Sequence, residues 1–317
     1  MKESTVTTKT AGPPKAVTRA GDKTFAGLST GSGWIILLIL AGVAAFLLWQ
    51  ALPAITADPS AVRGGNGLFS YIAPLLFGTV YSAAIAIVIA TPLAIGISLF
   101  ISHYAPRRLA TTLGYIVDLL AAVPSIVYGL WGMLVLAPAT VPVADFLHTY
   151  FGWLPFFSGQ PTVTGRTMFT IGIVLAVMIL PIMTATIREI FLQTPRLHEE
   201  AALALGATRW EMIRMAVIPF GRSGIVSGAM LGLGRALGET MAVAMILSAS
   251  GGISWQTITA QNPGTIAADI ALNFPESSGL DVNTLITSGL VLFALTLGVN
   301  MLARYIVSRR AEFSGAN

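Results

Sequence analysis

Two charged residues stand in an otherwise apolar stretch, "SGAMLGLGRALGETMAVAMILSAS", which runs from Ser227 to Ser250. They are Arg235 and Glu239. An arginine presents a planar fork of donors that can hold an anion through two parallel hydrogen bonds. A carboxylate nearby can compete with that anion for the fork, and a spacing of four also suits a mutually neutralising pair on one helix. Advancing 100° per residue from Gly224, the residues Gly228, Gly232, Arg235, Glu239 and Ala242 fall within about 80° of arc, with Leu231 the one bulky interruption. A glycine face lets another helix come close, and a charge exposed to lipid costs about 2.5–3.5 kcal/mol or more. This face is therefore expected to point into a bundle. Asp118, inside another apolar run, reads as a second buried acid and a candidate partner for Arg235.

The elements that must position these groups are membrane helices. Of the 317 residues 55% are hydrophobic and only 10% charged, whereas a soluble domain carries about 25% charged residues. Runs long enough to cross a bilayer, which takes about 20 helical residues, lie at Trp34–Leu52, Tyr71–Ile101, Leu109–Ala137, Met168–Ile187, Gly224–Leu247 and Leu285–Val307. These give an all-α membrane protein of six spans. The expected organisation is a disordered tail over 1–32, a transmembrane domain over 33–310 and a short tail over 311–317. Lys and Arg gather in the first tail, at Arg107 and Arg108, between Arg188 and Arg222, and after Arg304, whereas the alternate segments hold only Arg63 and Arg166. By the positive-inside rule both termini are cytoplasmic. The charge of +4 thus reports orientation in a membrane lipid environment and does not point to a nucleic acid partner. Tyr150, Phe151, Trp153, Phe156 and Phe157 suggest a segment at headgroup level on the outer side.

Prolines punctuate three spans, at Pro92, Pro124 and Pro181. Each removes a backbone donor, so each is either tolerated in a continuous helix or breaks a helix that lines a cavity. The basic segment Arg188–Gly221 punctuates as two short helices. Thr194 can cap the first with Pro195 at its first position, Gly206 stops it, Thr208 with Glu211 forms a capping box for the second, and Pro219 ends the run Arg209–Ile218. Glu199 and Glu200 lie apart from the small residues of the first helix, a shape suited either to a groove on a second protein or to the membrane surface.

Catalytic machinery is absent. The chain has no cysteine, no G-x-x-x-x-G-K-[ST] phosphate cradle and no nucleophile elbow. His103, His148 and His198 are too scattered in sequence for a shared metal site. If ATP is used, another subunit hydrolyses it, and this chain is not by itself an enzyme.

Glu200–Ala202, Gly206 after three more residues, and Ile218–Pro219 resemble the EAA loop of ABC-importer permeases, in which EAA, three residues, Gly and nine residues precede I-x-L-P. Ala216 and Ile218 stand here where that pattern has Ile and Leu. "AAVPSIVYGLWG" (Ala121–Gly132) and "GLGRALGETMAV" (Gly232–Val243) are similar to stretches of the phosphate-specific permeases of the PstC type. The resemblance implies a type I, MetI-like permease fold in a bacterial cell membrane. It also implies a second, PstA-type permease, two cytoplasmic PstB-type ATPase subunits that use ATP and Mg, and an extracytoplasmic PstS-type phosphate-binding protein. No cofactor is expected on this chain itself. As charges buried in apolar runs Arg235, Glu239 and Asp118 are expected to line the substrate path, with Ser125 and Tyr128 of the resembling stretch, and Glu199, Glu200, Ala201, Ala202, Gly206 and Pro219 are expected to couple to the ATPase. Arg235 would then be a transient phosphate ligand, with Glu239 keeping its hold weak enough for release. Two alternatives stay open: the same machine carrying sulfate or molybdate, and a self-sufficient ion-coupled transporter using Arg235, Glu239 and Asp118 as a relay.

Overall fold

The structure is a computed structural model that describes residues 20–311, with side chains over 21–305. Its elements in chain order are α1 (Ala20–Thr56), α2 (Leu68–Tyr104), α3 (Arg107–Ala121), α4 (Ser125–Phe151), α5 (Met168–Leu192) and α6 (Arg196–Ala204). They continue with α7 (Arg209–Phe220), α8 (Arg222–Leu237), α9 (Met241–Ile246), α10 (Ile266–Asn273) and α11 (Leu280–Ala311). Among the described residues the extended pairing is limited to a single bridge between Ala249 and Asn262. Five helices, α1, α2, α4, α5 and α11, are long and apolar enough to cross a membrane, and α7 with α8, bent by 65°, passes the same test as a sixth.

The chain divides into two compact units, one up to Trp49 and one from Gln50. In the first, α1 exposes Trp34, Ile35, Leu38 and Trp49, an all-round apolar surface of the kind a membrane span carries. Of the tail expected over 1–32, residues 20–32 are helical and belong to α1, while residues 1–19 lie outside the described residues. The C-terminal tail likewise lies outside them, apart from Ala311.

The second unit is built around α5. Ile171, Leu175, Met178, Ile179, Met183 and Ile187 are fully buried. Lipid tails are as apolar as leucine, so packing here depends on how closely backbones approach. Small residues supply that approach on both flanking helices. Ala83, Ala86, Ala90 and Ala94 give α2 a continuous fully buried stripe, and the partly buried Ile85 of the same helix lies where a Cβ at Gly172 of α5 would be. On α8, a Cβ at Gly224 would meet Ile190, one at Gly228 would come within 2.9 Å of Ile187, and one at Gly232 within 2.7 Å of Met183. The small face of the fifth span therefore points inward, as its periodicity predicts.

Two expected spans are interrupted. The run Leu109–Ala137 is not one helix: α3 stops at Ala121, and Pro124 takes up φ −59°, ψ 140° as the residue before α4. Proline lacks the N–H that would continue the ladder and drives the residue before it out of the helical region. The third span is instead α4, which runs on to Phe151, so Tyr150 and Phe151 stand in its last turn. Pro92 and Pro181, by contrast, sit inside continuous helices. The run Gly224–Leu247 also breaks, because α8 ends at Leu237, Gly238 forms its C-cap and α9 restarts at Met241.

Candidate substrate path and coupling loop

The break in the fifth span separates the two charges. Arg235 occupies the last turn of α8, while Glu239 lies beyond the helix end, 8% exposed. Its Oε1 accepts a 3.1 Å hydrogen bond from the Ala242 N–H in the first turn of α9. Among the described residues no ion pair joins Arg235 to Glu239, because the helical turn that would bring them together does not exist. The positive end of the α9 dipole and its free N–H groups take the carboxylate instead. At the other end of α9, Arg166 donates from Nε to the Ile246 carbonyl at 3.0 Å and from Nη2 to that of Met245 at 3.1 Å. A six-residue helix is thus held by an anion at its start and a cation at its finish.

Around this break stands the start of α4. A Cβ at Gly129 would come within 3.0 Å of Ala242, and Gly132 lies against Ile246 and Val174. Tyr128 is buried, donates a 3.0 Å hydrogen bond to the Leu120 carbonyl, and lies within electrostatic range of Arg235. Ser125 opens the same helix one turn earlier. The first turns of α4 therefore pack against α9, and Arg235, half-buried and without an ion partner among the described residues, stands one turn before the break at Gly238. Discontinuous helices of this kind form substrate sites in transporters, where irregular backbone is tolerated because it lines a cavity.

Asp118 does not join this group. It sits on α3, with a side chain 54% exposed, and its Oδ2 is 3.8 Å from Nη2 of Arg188 on α5. The apolar run that made it look buried is an amphipathic helix, and Gly114 on the same helix gives the Arg188 guanidinium its room. No group of three His, Asp or Glu side chains close enough to hold a metal ion exists among the described residues.

The basic loop folds as α6 and α7. Gly206 turns between them at φ +83° with open space around it, a backbone that glycine adopts freely and a β-branched residue does not. The capping box forms: the Thr208 hydroxyl takes the Glu211 N–H, and the Glu211 carboxylate returns to the Thr208 N–H at 2.8 Å. That pairing holds the Glu211 carboxyl below the ordinary carboxylate value, the Thr208 backbone bond being the main cause. Two details of the expected pattern differ. Pro195 is itself the cap residue, with an extended backbone and no capping side-chain bond, and Thr194 is buried beneath it. Pro219 does not end the run, which continues to Phe220 and bends at Gly221, packed on the Phe191 ring.

The two glutamates of α6 have different surroundings. Glu200 is exposed, whereas Glu199 places Oε1 3.5 Å from His103 Nε2, at the end of α2. Ala202 packs on the core while Ala201 faces out. Leu197, Leu205 and Trp210 are exposed at 75%, 90% and 56%, so the loop presents a small apolar surface. On the opposite side of the bundle, Asn262 is fully buried; it accepts from Met168 N–H at 3.1 Å and donates to the carbonyls of Arg166 and Ser248. His103, Arg166 and Asn262 are the contributors that sequence reading missed, because each acts through a partner distant in the chain.

Residues 94–312 match the family described as "Binding-protein-dependent transport system inner membrane component". The protein named "Phosphate transport system permease protein PstC 2" of Mycobacterium tuberculosis is 45% identical over 306 residues, covering 93% of this chain and 94% of its own. The PstC permease of Mesorhizobium japonicum is 38% identical over 307 residues, covering 93% and 92%. The chain belongs to the PstC permeases. A chain in the crystal structure of a bacterial alginate ABC transporter, with its pentasaccharide-bound periplasmic protein, superimposes at a TM-score of 0.56 with 15% identity, covering 89% of this chain and 96% of that one. The fold is that of an ABC-importer permease, and the chain is a multi-span inner-membrane transport component.

Proposed function

We propose that this chain forms, with a second related permease of the PstA type, the path by which phosphate crosses the membrane. In this reading a PstS-type binding protein delivers the ion and two PstB-type subunits supply ATP hydrolysis with Mg. The chain binds no cofactor and catalyses no reaction of its own. The observation that carries the substrate is the near full-length identity to relatives named for phosphate transport. The observation that supports a mechanism is the helix break at Gly238 beside Arg235, with the first turns of α4 packed against α9. A tetrahedral dianion stripped of water needs charged donors in a fixed fork, which Arg235 can offer where the α8 helix ends, with Tyr128 and Ser125 on the facing helix. Glu239, occupied at the start of α9, keeps a negative charge near the site, so the anion is held weakly enough to leave. Purified complex in proteoliposomes should take up labelled phosphate with ATP and binding protein present, and excess unlabelled phosphate should abolish the signal. If excess sulfate or molybdate abolishes it equally, the substrate assignment is wrong while the transport class stands.

The orientation rests on the distribution of Lys and Arg. Both termini and the α6–α7 loop are then cytoplasmic. The chain has no cysteine, which makes single-cysteine labelling clean. Ile253, between α9 and α10 and so on the outer side in this reading, is 58% exposed, and Leu205 in the α6–α7 loop is 90% exposed. In intact cells Ile253→Cys should react with an impermeant maleimide, and Leu205→Cys should react only after permeabilisation. The reverse pattern would invert the topology.

A further inference from the structure

A continuous polar chain connects the α6 helix to the interior of the bundle. Glu199 Oε1 on α6 lies 3.5 Å from His103 Nε2. The other nitrogen of that ring, Nδ1, is 2.6 Å from the Ser102 hydroxyl. Ser102 in turn donates to the Ser98 carbonyl at 2.7 Å, and the Ser98 hydroxyl donates across to the Thr184 carbonyl on α5 at 3.0 Å. Four side chains thus join three elements. The pieces are buried where they must be, since Ser98 is fully buried and the His103 side chain is 9% exposed.

The local backbone explains why the histidine can reach. The last turn of α2, Phe100–Tyr104, is π-helical, and Ala105 N–H bonds to the Phe100 carbonyl at 2.8 Å, five residues back. A π-turn inserts a residue without ending the helix, which rotates the residues after it, and such turns concentrate at functional positions. The rotated turn carries His103 to α6, while Ser98, before the π-turn, still faces α5.

We propose that His103 is the positioning residue that ties the coupling helix to the spans, so that force applied to α6 reaches α2 and α5 through Glu199, Ser102 and Ser98. This rests on the reading of α6 as the element that meets the ATPase. It also assigns the two glutamates opposite tasks: Glu200 faces outward to the partner, and Glu199 faces inward to the permease. A link of this kind does not touch substrate or ATP. Its removal should loosen the ratio between hydrolysis and transport, and assembly should survive.

The test uses the full four-part complex in proteoliposomes with binding protein, measuring phosphate carried per ATP hydrolysed. His103→Ala should lower that ratio by about fivefold, within the roughly 2- to 30-fold range that residues along a coupling route can command. His103→Gln, which keeps a donor toward Glu199, should restore part of it. Glu199→Gln should lower the ratio, and the His103→Ala, Glu199→Ala double variant should be no worse than His103→Ala alone, because two ends of one link fail together. An unchanged ratio in His103→Ala, or losses that add in the double variant, would overturn the proposal. Should His103→Ala fail to accumulate, Ser98→Ala carries the same test, since it deletes only the bond to Thr184; an unchanged ratio there would also overturn it. If the parent chain recruits no ATPase at all, the reading of α6 fails instead, and that outcome is distinct from a changed ratio in an assembled complex.

Discussion

Gly206→Val should leave the permease in the membrane and strip it of its ATPase. The backbone at this position has φ +83°, and nothing lies within 4 Å of where a side chain would begin. Valine therefore meets no steric neighbour, and its whole penalty is conformational. Holding a β-branched residue in that region costs about 1–3 kcal/mol, and the chain can avoid the cost by rearranging the turn between α6 and α7. That turn sets the relation between Leu197 of α6, Leu205 at its C-cap and Trp210 of α7, the exposed apolar side chains of the loop. A penalty of this size lowers the population of the docking geometry by roughly 5- to 150-fold. Co-purification with the ATPase and phosphate uptake should fall together by that factor. Gly206→Ala should fall less. Leu205→Asp offers an independent check, because it places a charge on a surface that is 90% exposed and strains nothing. If both Gly206→Val and Leu205→Asp keep their ATPase and normal uptake, the loop is not the docking element.

The range of each interaction decided whether the sequence alone could reveal it. The inward face of α8 was legible because glycine spacing repeats every turn, and helix-to-helix approach in lipid depends on just that spacing. The capping box at Thr208 and the stop at Gly206 were legible because their donors and acceptors lie within three residues. The helix breaks were not. Hydropathy averages over a run, so the amphipathic α3 and the start of α4 merged into one apparent span, although Asp118 and the pair Thr111 and Thr112 already marked a polar side. Pro92, Pro124 and Pro181 look alike in sequence, yet one breaks its helix and two do not. Nothing in the local sequence separates the three. The pairings of His103 with Glu199 and of Arg188 with Asp118, and the knot around Asn262, join residues far apart in the chain. No local pattern encodes them.

The break at Gly238 changes how the largest expected effect can be read. If Arg235 and Glu239 shared a helical turn, removing the arginine would strand a buried carboxylate, and loss of transport could mean nothing more than a damaged fold. Glu239 instead accepts from the Ala242 N–H at 3.1 Å, so it keeps its partner when Arg235 is replaced. Arg235→Gln is therefore a direct test. A guanidinium offers the anion charge-assisted bonds worth about 1.5–3 kcal/mol each, and losing two of them should reduce uptake at limiting phosphate by roughly a hundredfold or more. Arg235→Lys keeps the charge without the fork and should retain a measurable fraction. Glu239→Gln preserves an oxygen for the Ala242 N–H, so it should assemble normally and alter release more than assembly. The Arg235→Gln, Glu239→Gln double variant completes the comparison. If Arg235 served only to balance the charge of Glu239 across the break, removing both charges would let transport recover, whereas a phosphate ligand cannot be replaced by two uncharged amides. The double variant should assemble with its partners, hydrolyse ATP and carry no phosphate. Uptake near the parental rate in either glutamine variant of Arg235 would show that the arginine never meets the ion, and the substrate path would have to be sought away from the end of α8.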